Sequence, residues 1–259
     1  MNILALITGA SSGIGLELAR LHAENGGDLI LVARREDRLT ALKQELETAH
    51  GVDVHVIAAD LSDPSAADRI YQDVKSKGLV IEYLINNAGF GAHGLFHETD
   101  WAVSLSMIQV NAVSLAALTR LFLPDMLERN SGRILNVTST ASLMPGPLQA
   151  VYFATKGFAA YLSNALAEEV RGSKVTVTNF MPTATATEFA EASGMSRTRL
   201  FDHTATARDV AKDGYYAMRR GELDAFGGMQ PLRRIQYWLV GQLPKRTSLR
   251  IVRQMQETN

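Results

Sequence analysis

The stretch that most restricts the fold of this 259-residue chain is its first 25 residues. Residues 3–7 (ILALI) form a continuous apolar run, as expected of a strand covered on both faces of a parallel sheet. The run leads directly into Thr8-Gly9-Ala10-Ser11-Ser12-Gly13-Ile14-Gly15. A helix is then expected to about Asn25, with Leu16, Leu18, Ala19 and Leu21 as apolar positions and Gly26-Gly27 as its stop. Strand, glycine-rich turn and helix together build a phosphate cradle. Glycine lets the backbone turn sharply and approach a pyrophosphate, while the helix N-terminus offers free N–H groups and partial positive charge. The glycine spacing is G-x-x-x-G-x-G rather than the G-x-G-x-x-G fingerprint, and taken alone it could equally be a tight loop. The flanking strand and helix favour the cradle.

The same alternation continues down the chain. Residues 28–33 (DLILVA), 53–58 (DVHVIA), 83–85 (YLI), 132–139 (GRILNVTS), 174–181 (KVTVTNFM) and 224–226 (DAF) read as further strands. Helices are expected at 36–50, from Asp63 to Lys77 with Pro64 at the first helical position, at 101–128, from near Tyr152 to about Arg171, and at 207–220 behind Thr206 as N-cap. Pro124 is expected to bend or fray the end of the long fourth helix. Strands alternating with helices imply an α/β fold: one Rossmann-type, doubly wound parallel sheet of about seven strands, with helices on both faces. No repeat or linker divides residues 1–259, so a single domain is expected.

Composition narrows the functions. With 46% hydrophobic and 20% charged residues the chain can bury a substantial core, and a net charge of −1 gives no field for a nucleic-acid partner. Cysteine is absent, which excludes disulfides and cysteine-based metal sites and fits a reducing, cytoplasmic location. The N-terminal apolar run lacks a basic flank and stops at Thr8-Gly9, so it reads as a strand, and no stretch is expected to cross a bilayer.

Polar residues gather at the expected strand ends, where an open parallel sheet places its ligand crevice. After the second strand come Arg34 and Arg35 instead of an acidic residue. Their guanidinium forks suit a ribose 2′-phosphate, so the expected cofactor is NADP(H); a solvated basic pair is the plainer alternative. Asp60-Leu61 end the third strand, where Asp60 meets an adenine edge or caps a turn. Asn86-Asn87-Ala88-Gly89 end the fourth, bracing a strand end or only turning the chain. His93 and His97 have no metal-ligand company and read as pocket wall or surface. Asn111 sits mid-helix, where its amide is either exposed or needed inside. Ser139 ends the fifth strand, thirteen residues before Tyr152. Tyr152 and Lys156 lie four apart, about 40° around a helix, so both project from one face. A phenol beside an ammonium is an acid/base device, with the positive charge expected to draw the tyrosine pKa down from about 10.

TGASSGIG at 8–15, Asp60, NNAG at 86–89, Asn111, Ser139 and Y-x-x-x-K at 152–156 together resemble the short-chain dehydrogenase/reductase family in its single-domain form, with matches spread over residues 3–189. ARRED at 33–37 with NNAGFG at 86–91 is similar to a bacterial subgroup of NADPH-linked reductases. The resemblance implies a catalytic set of Asn111, Ser139, Tyr152 and Lys156. Tyr152 would be the general acid in ketone reduction and the base in alcohol oxidation. Lys156 would lower the Tyr152 pKa and hold the nicotinamide ribose, Ser139 would polarise the substrate oxygen, and Asn111 would hold a relay water. It also implies cofactor contacts at Gly9, Ser11, Ser12, Gly13, Ile14, Gly15, Arg34, Arg35, Asp60, Leu61, Asn87, Ala88, Gly89, Tyr152, Lys156, Pro182 and Thr187. The chain departs from the family at Thr183, which follows Pro182 where glycine is usual and puts a side chain near the nicotinamide.

Residues 183–205 are expected to form an irregular, mobile lid. Its wall residues Met144, Phe153, Phe189, Met195, Leu200 and Phe201 suit a medium-sized hydrophobic ketone or aldehyde, while Arg197 and Arg199 could meet a carboxylate or only solvent. The segment 229–256 is basic and amphipathic, with Arg233, Arg234, Lys245, Arg246, Arg250 and Arg253; it is expected to pack on its own fold or a sister subunit, with an anionic membrane surface as the alternative. The readings carried forward are an NADPH-dependent carbonyl reductase, an NAD-linked alcohol or 3-hydroxy acid dehydrogenase, and a non-catalytic NADP(H)-binding scaffold. By family analogy a homodimer or homotetramer is expected.

Overall fold

The computed structural model describes residues 2–195, 198, 204–229 and 243–257. Its centre is a seven-stranded, all-parallel sheet in the order β3-β2-β1-β4-β5-β6-β9. The strands are β1 (Leu4–Thr8), β2 (Asp28–Ala33), β3 (Val54–Ala58), β4 (Tyr83–Asn86), β5 (Gly132–Val137), β6 (Val175–Pro182) and β9 (Asp224–Gly227). The order reverses between β1 and β4, and that switch point opens the crevice at the carboxyl ends of the strands.

Side-chain alternation explains the continuous apolar runs. Ala5 and Ile7 enter one buried cluster with Leu18, Leu29, Leu31, Phe180, Val210 and Tyr215, beneath α1 (Gly13–Glu24), α2 (Glu36–His50) and α8 (Ala207–Arg220). Leu4 and Leu6 enter the opposite cluster with Ile30, Ile70, Leu84, Leu118, Phe122 and Val177, beneath α3 (Ala66–Ser76) and α5 (Leu115–Arg129), with Leu166 of α6 (Ala150–Glu169) packed against it. Each strand residue therefore meets a helix whichever way it points. Full burial of one such side chain contributes roughly 1.5–3 kcal/mol.

Four local expectations change. Helix α3 starts at Ala66 rather than Pro64. Asp63 still organises that start: its carboxylate accepts from the Ser65 amide at 2.9 Å and its carbonyl from the Ala66 amide at 3.0 Å, a tight turn that precedes the helix. Pro124 does not fray α5, which continues to Arg129 and is closed by Asn130 at φ 51°. Residues 183–205 are not wholly irregular, since β7 (Thr185–Ala186) pairs with β8 (Ala205–Thr206) and α7 (Phe189–Ala192) lies between them. Finally, the helical run Trp101–Arg129 is long and apolar enough to cross a membrane, with a mean hydropathy of 1.5 in its most apolar window. Here the run lies against the sheet, where Leu118, Phe122 and Met126 are buried in the core.

That run is also interrupted. Between α4 (Trp101–Ile108) and α5, residues Gln109–Ser114 widen into a π-turn, a feature that frequently marks functional sites. Behind it, a buried polar chain ties the layers together. Asn86 donates to Thr119 Oγ1 (3.0 Å) and Asn136 Oδ1 (2.9 Å), and Asn136 donates to Ser163 Oγ (2.9 Å). This joins β4, β5, α5 and α6 and sets β5 against the face of α6 that carries Tyr152 and Lys156.

The last described helix, α9 (Lys245–Gln256), buries Ser248, Val252 and Gln256 and exposes Lys245, Arg246, Arg250 and Arg253. Its inner face packs on its own chain: Val252 joins Met107, Ala141, Tyr152 and Phe153. The apolar side that a membrane would need is therefore partly covered within residues 245–256, with Leu249, Ile251 and Met255 half-buried. Residues 230–242, with Arg233 and Arg234, lie outside the described residues.

Candidate active site

The N-terminal turn forms as a cradle. Gly9 takes φ 68°, and a Cβ there would stand 2.8 Å from Asn87 Nδ2. At Gly15 a Cβ would meet the Gly9 carbonyl oxygen at 2.3 Å and Asn87 Nδ2 at 2.4 Å, so only glycine lets α1 begin this close to β1. Asn87 braces the other wall. Its amide and that of Ala88 both donate to Thr8 Oγ1 at 3.0 Å, and its side chain donates to the Thr8 carbonyl at 2.9 Å. Thr187 closes the turn from above; its Cγ2 lies 3.0 Å from where a Gly13 Cβ would be.

Arg35 leans into this turn. Its Nη2 donates to Ser12 Oγ at 2.9 Å and Ser11 Oγ at 3.1 Å, while Nη1 pairs with Glu188 at 2.8 Å. Arg34 is exposed and lines the same cavity. Asp60 accepts from the Ser62 amide (2.9 Å) and hydroxyl (2.8 Å), capping its turn at the rim.

At the inner end, Tyr152 and Lys156 share the buried face of α6, exposed by only 8% and 5%. Ser139 stands just beyond β5 as the N-cap of a short 3₁₀ turn (Thr140–Leu143) and hydrogen-bonds Tyr152. Lys156 Nζ donates to the Val137 carbonyl at 2.9 Å and lies 5.9 Å from the Tyr152 ring centroid. The expected direction of the tyrosine shift is reversed. Burial pushes the Tyr152 phenol up to about 12, with the Ser139 hydrogen bond pulling the other way. Burial alone pulls the Lys156 ammonium down to about 8. Desolvation therefore dominates both groups, and at neutral pH the site holds a protonated phenol beside a largely charged lysine.

Asn111 is inside, at 1% exposure in the π-turn. Its Nδ2 donates to the Phe90 carbonyl (2.9 Å) and Thr155 Oγ1 (3.1 Å), and its Oδ1 accepts from the Phe90 amide (3.0 Å). The amide clamps the loop after β4 to α6. A Cβ at Gly89 would fall 3.1 Å from Asn111 Oδ1 and 3.2 Å from Lys156 Nζ, so three nominated residues converge there.

A single cavity of about 500 Å³ connects these groups. It is lined by every nominated residue except Gly15 and Asn111, which lie behind its wall: Gly9, Ser11, Ser12, Gly13, Ile14, Arg34, Arg35, Asp60, Leu61, Asn87, Ala88, Gly89, Ser139, Tyr152, Lys156, Pro182 and Thr187. Its size lies within the range of small-molecule and cofactor sites. The residues present fit a dinucleotide, with a Cβ-free turn and basic fork at one end and hydroxyl donors at the other. Thr183 also lines the cavity. Its amide bonds the Gly227 carbonyl at 3.1 Å, and its methyl lies 3.2 Å from where a Gly228 Cβ would be, so part of the side chain packs on the turn after β9.

The apolar wall beyond Tyr152 contains Met144, Phe153, Phe189 and Met195, as expected from the sequence, with the Phe189 ring centroid 5.5 Å from that of Tyr152. Arg197, Arg199, Leu200 and Phe201 lie outside the described residues. Four further wall residues carry no local sequence signal. Val252, Met255 and Gln256 of α9 complete the wall, and buried Gln149, which precedes α6, donates to Gln256 Oε1. His93 Nε2 meets the Gln256 carbonyl oxygen at 2.7 Å, while His97 is exposed. Glu188 bridges Arg35 and Arg38. The pairings join positions more than 100 residues apart, and no local pattern marks them.

Comparison with known proteins agrees with this layout. Residues 4–197 match the short chain dehydrogenase family model. A human very-long-chain 3-oxoacyl-CoA reductase is 34% identical over 193 residues, covering 72% of this chain and 61% of that protein. The match to its mouse counterpart likewise spans only 61% of the relative's length. An NADP-dependent 3-hydroxy acid dehydrogenase of Salmonella typhi is 37% identical over 185 residues, with 70% of this chain and 71% of that protein covered. A solved short-chain dehydrogenase from Sphingobium yanoikuyae, in complex with NADPH, superimposes with a TM-score of 0.83 at 30% identity over 90% of this chain and 91% of the other. The glycine cradle, the strand-end asparagine brace and the Ser139–Tyr152–Lys156 group thus stand in a chain that belongs to the short-chain dehydrogenase/reductase family, oxidoreductases of alcohol and carbonyl groups.

Proposed function

We propose that this protein reduces a ketone or aldehyde with NADPH, and oxidises the corresponding alcohol in reverse, with Tyr152 as the proton donor. The observation that carries the reading is one cavity running from the Arg35–Ser11–Ser12 cluster to Ser139, Tyr152 and Lys156. When bound there, the nicotinamide supplies the hydride. The Ser139 and Tyr152 hydroxyls are donors for a substrate carbonyl oxygen, which gains negative charge as carbon is reduced. The Tyr152 proton then passes to that oxygen. A phenol held near pKa 12 keeps its proton at neutral pH and is loaded as an acid. Lys156, still largely charged at pH 7, steadies the phenolate left behind. Asn111 clamps the Phe90 loop against α6; in this reading it supports the site through that contact, and a relay water would be held through its remaining acceptor capacity.

Preference for NADP(H) is supported by the basic fork after β2 and by the cofactors named for the Salmonella and Sphingobium relatives. The apolar wall of Met144, Phe153, Phe189, Met195 and Val252 favours a hydrophobic carbonyl. The names of the relatives place 3-oxoacyl compounds and 3-hydroxy acids first in the panel to be tried. Assembly as a homodimer or homotetramer belongs to the same proposal. It is supported by the exposed apolar residues Trp101, Leu105, Phe158 and Tyr161 on α4 and α6.

Binding titrations with NADPH and NADH, followed by a carbonyl panel read as NADPH consumption, test the reading. Tighter NADH binding would favour the NAD-linked alternative. Tyr152→Phe should retain cofactor affinity and lose reduction by 10² or more, the scale of general acid catalysis. Turnover surviving in this variant would remove Tyr152 as donor, and absence of any turnover in the parent across the panel would favour the scaffold alternative.

A further inference from the structure

We propose that Glu188 is an internal competitor for the cofactor's adenosine 2′-phosphate: it occupies Arg35 and Arg38 until NADP(H) displaces it, and so sets how strongly the site favours the phosphorylated cofactor. The inference rests on the NADP(H) reading above. Arg35 is shared between two sets of partners. Its Nε and Nη2 face the Ser11 and Ser12 hydroxyls at 2.9–3.3 Å, and its Nη1 holds Glu188 Oε2 at 2.8 Å. One turn into α2, Arg38 Nη1 holds the other carboxylate oxygen at 2.6 Å. One carboxylate thus fills the guanidinium edges that would take two phosphate oxygens, while the serine hydroxyls remain as further donors.

The exchange is physically cheap. The Arg35, Arg38 and Glu188 side chains are 39%, 45% and 52% exposed, and ion pairs of that exposure are weak and screened by salt. A phosphate dianion offers more charge and more acceptor atoms than a carboxylate, so it wins the arginines where a free 2′-hydroxyl would not. Glu188 also sits between Thr187, which closes on Gly13, and Phe189, whose ring lies 5.5 Å from that of Tyr152. The competitor therefore belongs to the segment that roofs the site, and its release on NADP(H) binding reaches the residues above Tyr152.

The test is equilibrium binding by the full chain of NADPH, NADH, adenosine 2′,5′-bisphosphate and adenosine 5′-phosphate, at fixed ionic strength, in the parent and in Glu188→Gln and Glu188→Ala. Both substitutions are at an exposed position, and their melting temperatures check the fold. Removing the competitor should tighten NADPH and the bisphosphate by about three- to tenfold, the scale of weak exposed pairs, and change NADH and the monophosphate by less than about twofold. Unchanged or weaker NADPH binding in both variants, with a parent that prefers NADPH, overturns the competitor while leaving the cofactor reading intact. A parent that binds the bisphosphate no better than the monophosphate overturns both.

Discussion

Lys156 is held at a cost that the site makes useful. Its pKa falls from 10.5 to about 8 through burial, a penalty on the order of 3 kcal/mol for the charged form at neutral pH. Between those two values the unfolded chain binds the extra proton, so this group makes stability rise with pH from about 8 to 10.5. Tyr152 acts in the opposite sense higher up: its pKa is raised from 10.0 to about 12, so the stability it contributes below 10 is lost as pH climbs through 12. Lys156→Met should therefore be more stable than the parent at pH 7, by about 2 kcal/mol once the lost bond to the Val137 carbonyl is offset. The advantage should shrink toward pH 10. Urea midpoints at pH 7 and 9.5 measure this, and a variant less stable than the parent at pH 7 would contradict it. The same variant should lose reduction, because nothing then steadies the Tyr152 phenolate.

Two elements are shaped for the site more than for their own stability. The π-turn at Gln109–Ser114 interrupts a helix that would otherwise run from Trp101 to Arg129, and it brings Asn111 inward to clamp Phe90 and Thr155. Helix α9 buries one face against the apolar wall of the cavity, with Gln256 meeting Gln149 and its carbonyl meeting His93. Gln149 Oε1 already has no hydrogen-bond partner among the described residues. Gln256→Ala would orphan the Gln149 amide as well, at about 1–3 kcal/mol. The expected result is a lower melting temperature and a higher KM for the carbonyl substrate, with NADPH affinity unchanged because the phosphate cradle lies at the other end of the cavity. Weakened NADPH binding equal to the KM effect would instead place α9 in cofactor binding.

At the scale of the whole molecule, the neighbouring helices α4 and α6 leave several large apolar side chains exposed. Trp101 is 60% exposed, Leu105 53%, Phe158 47% and Tyr161 78%, all on α4 and α6. Large exposed apolar groups on neighbouring helices suit a self-complementary contact. Light scattering should give a dimeric or tetrameric mass, and Leu105→Glu combined with Tyr161→Glu should reduce it to the monomer by burying charge in the contact. A monomeric parent would end the proposal. Since α6 carries Tyr152 and Lys156 on its inner face, the assembled state should also melt higher and depend on protein concentration.

The sequence by itself determined the sheet, the cradle and the meeting of Tyr152 and Lys156 on one face of a helix. Those follow from period-two burial, from glycines that no other residue can replace, and from a four-residue helical spacing, all of which are local. The start of α3, the survival of α5 past Pro124 and the sign of the Tyr152 shift were decided by tertiary packing. A proline near a helix end is tolerated when the core holds the following turn, and a phenol beside a lysine titrates upward when both are drained of solvent. Glu188 on Arg35 and Arg38, Gln256 on Gln149, and the clamp made by Asn111 belong wholly to the folded chain. Each joins residues that only the closing of the sheet and its helices brings within hydrogen-bonding distance. The N-terminal glycine turn could announce a nucleotide from its own eight residues, whereas the carboxylate that meets Arg35 comes from more than 150 positions away.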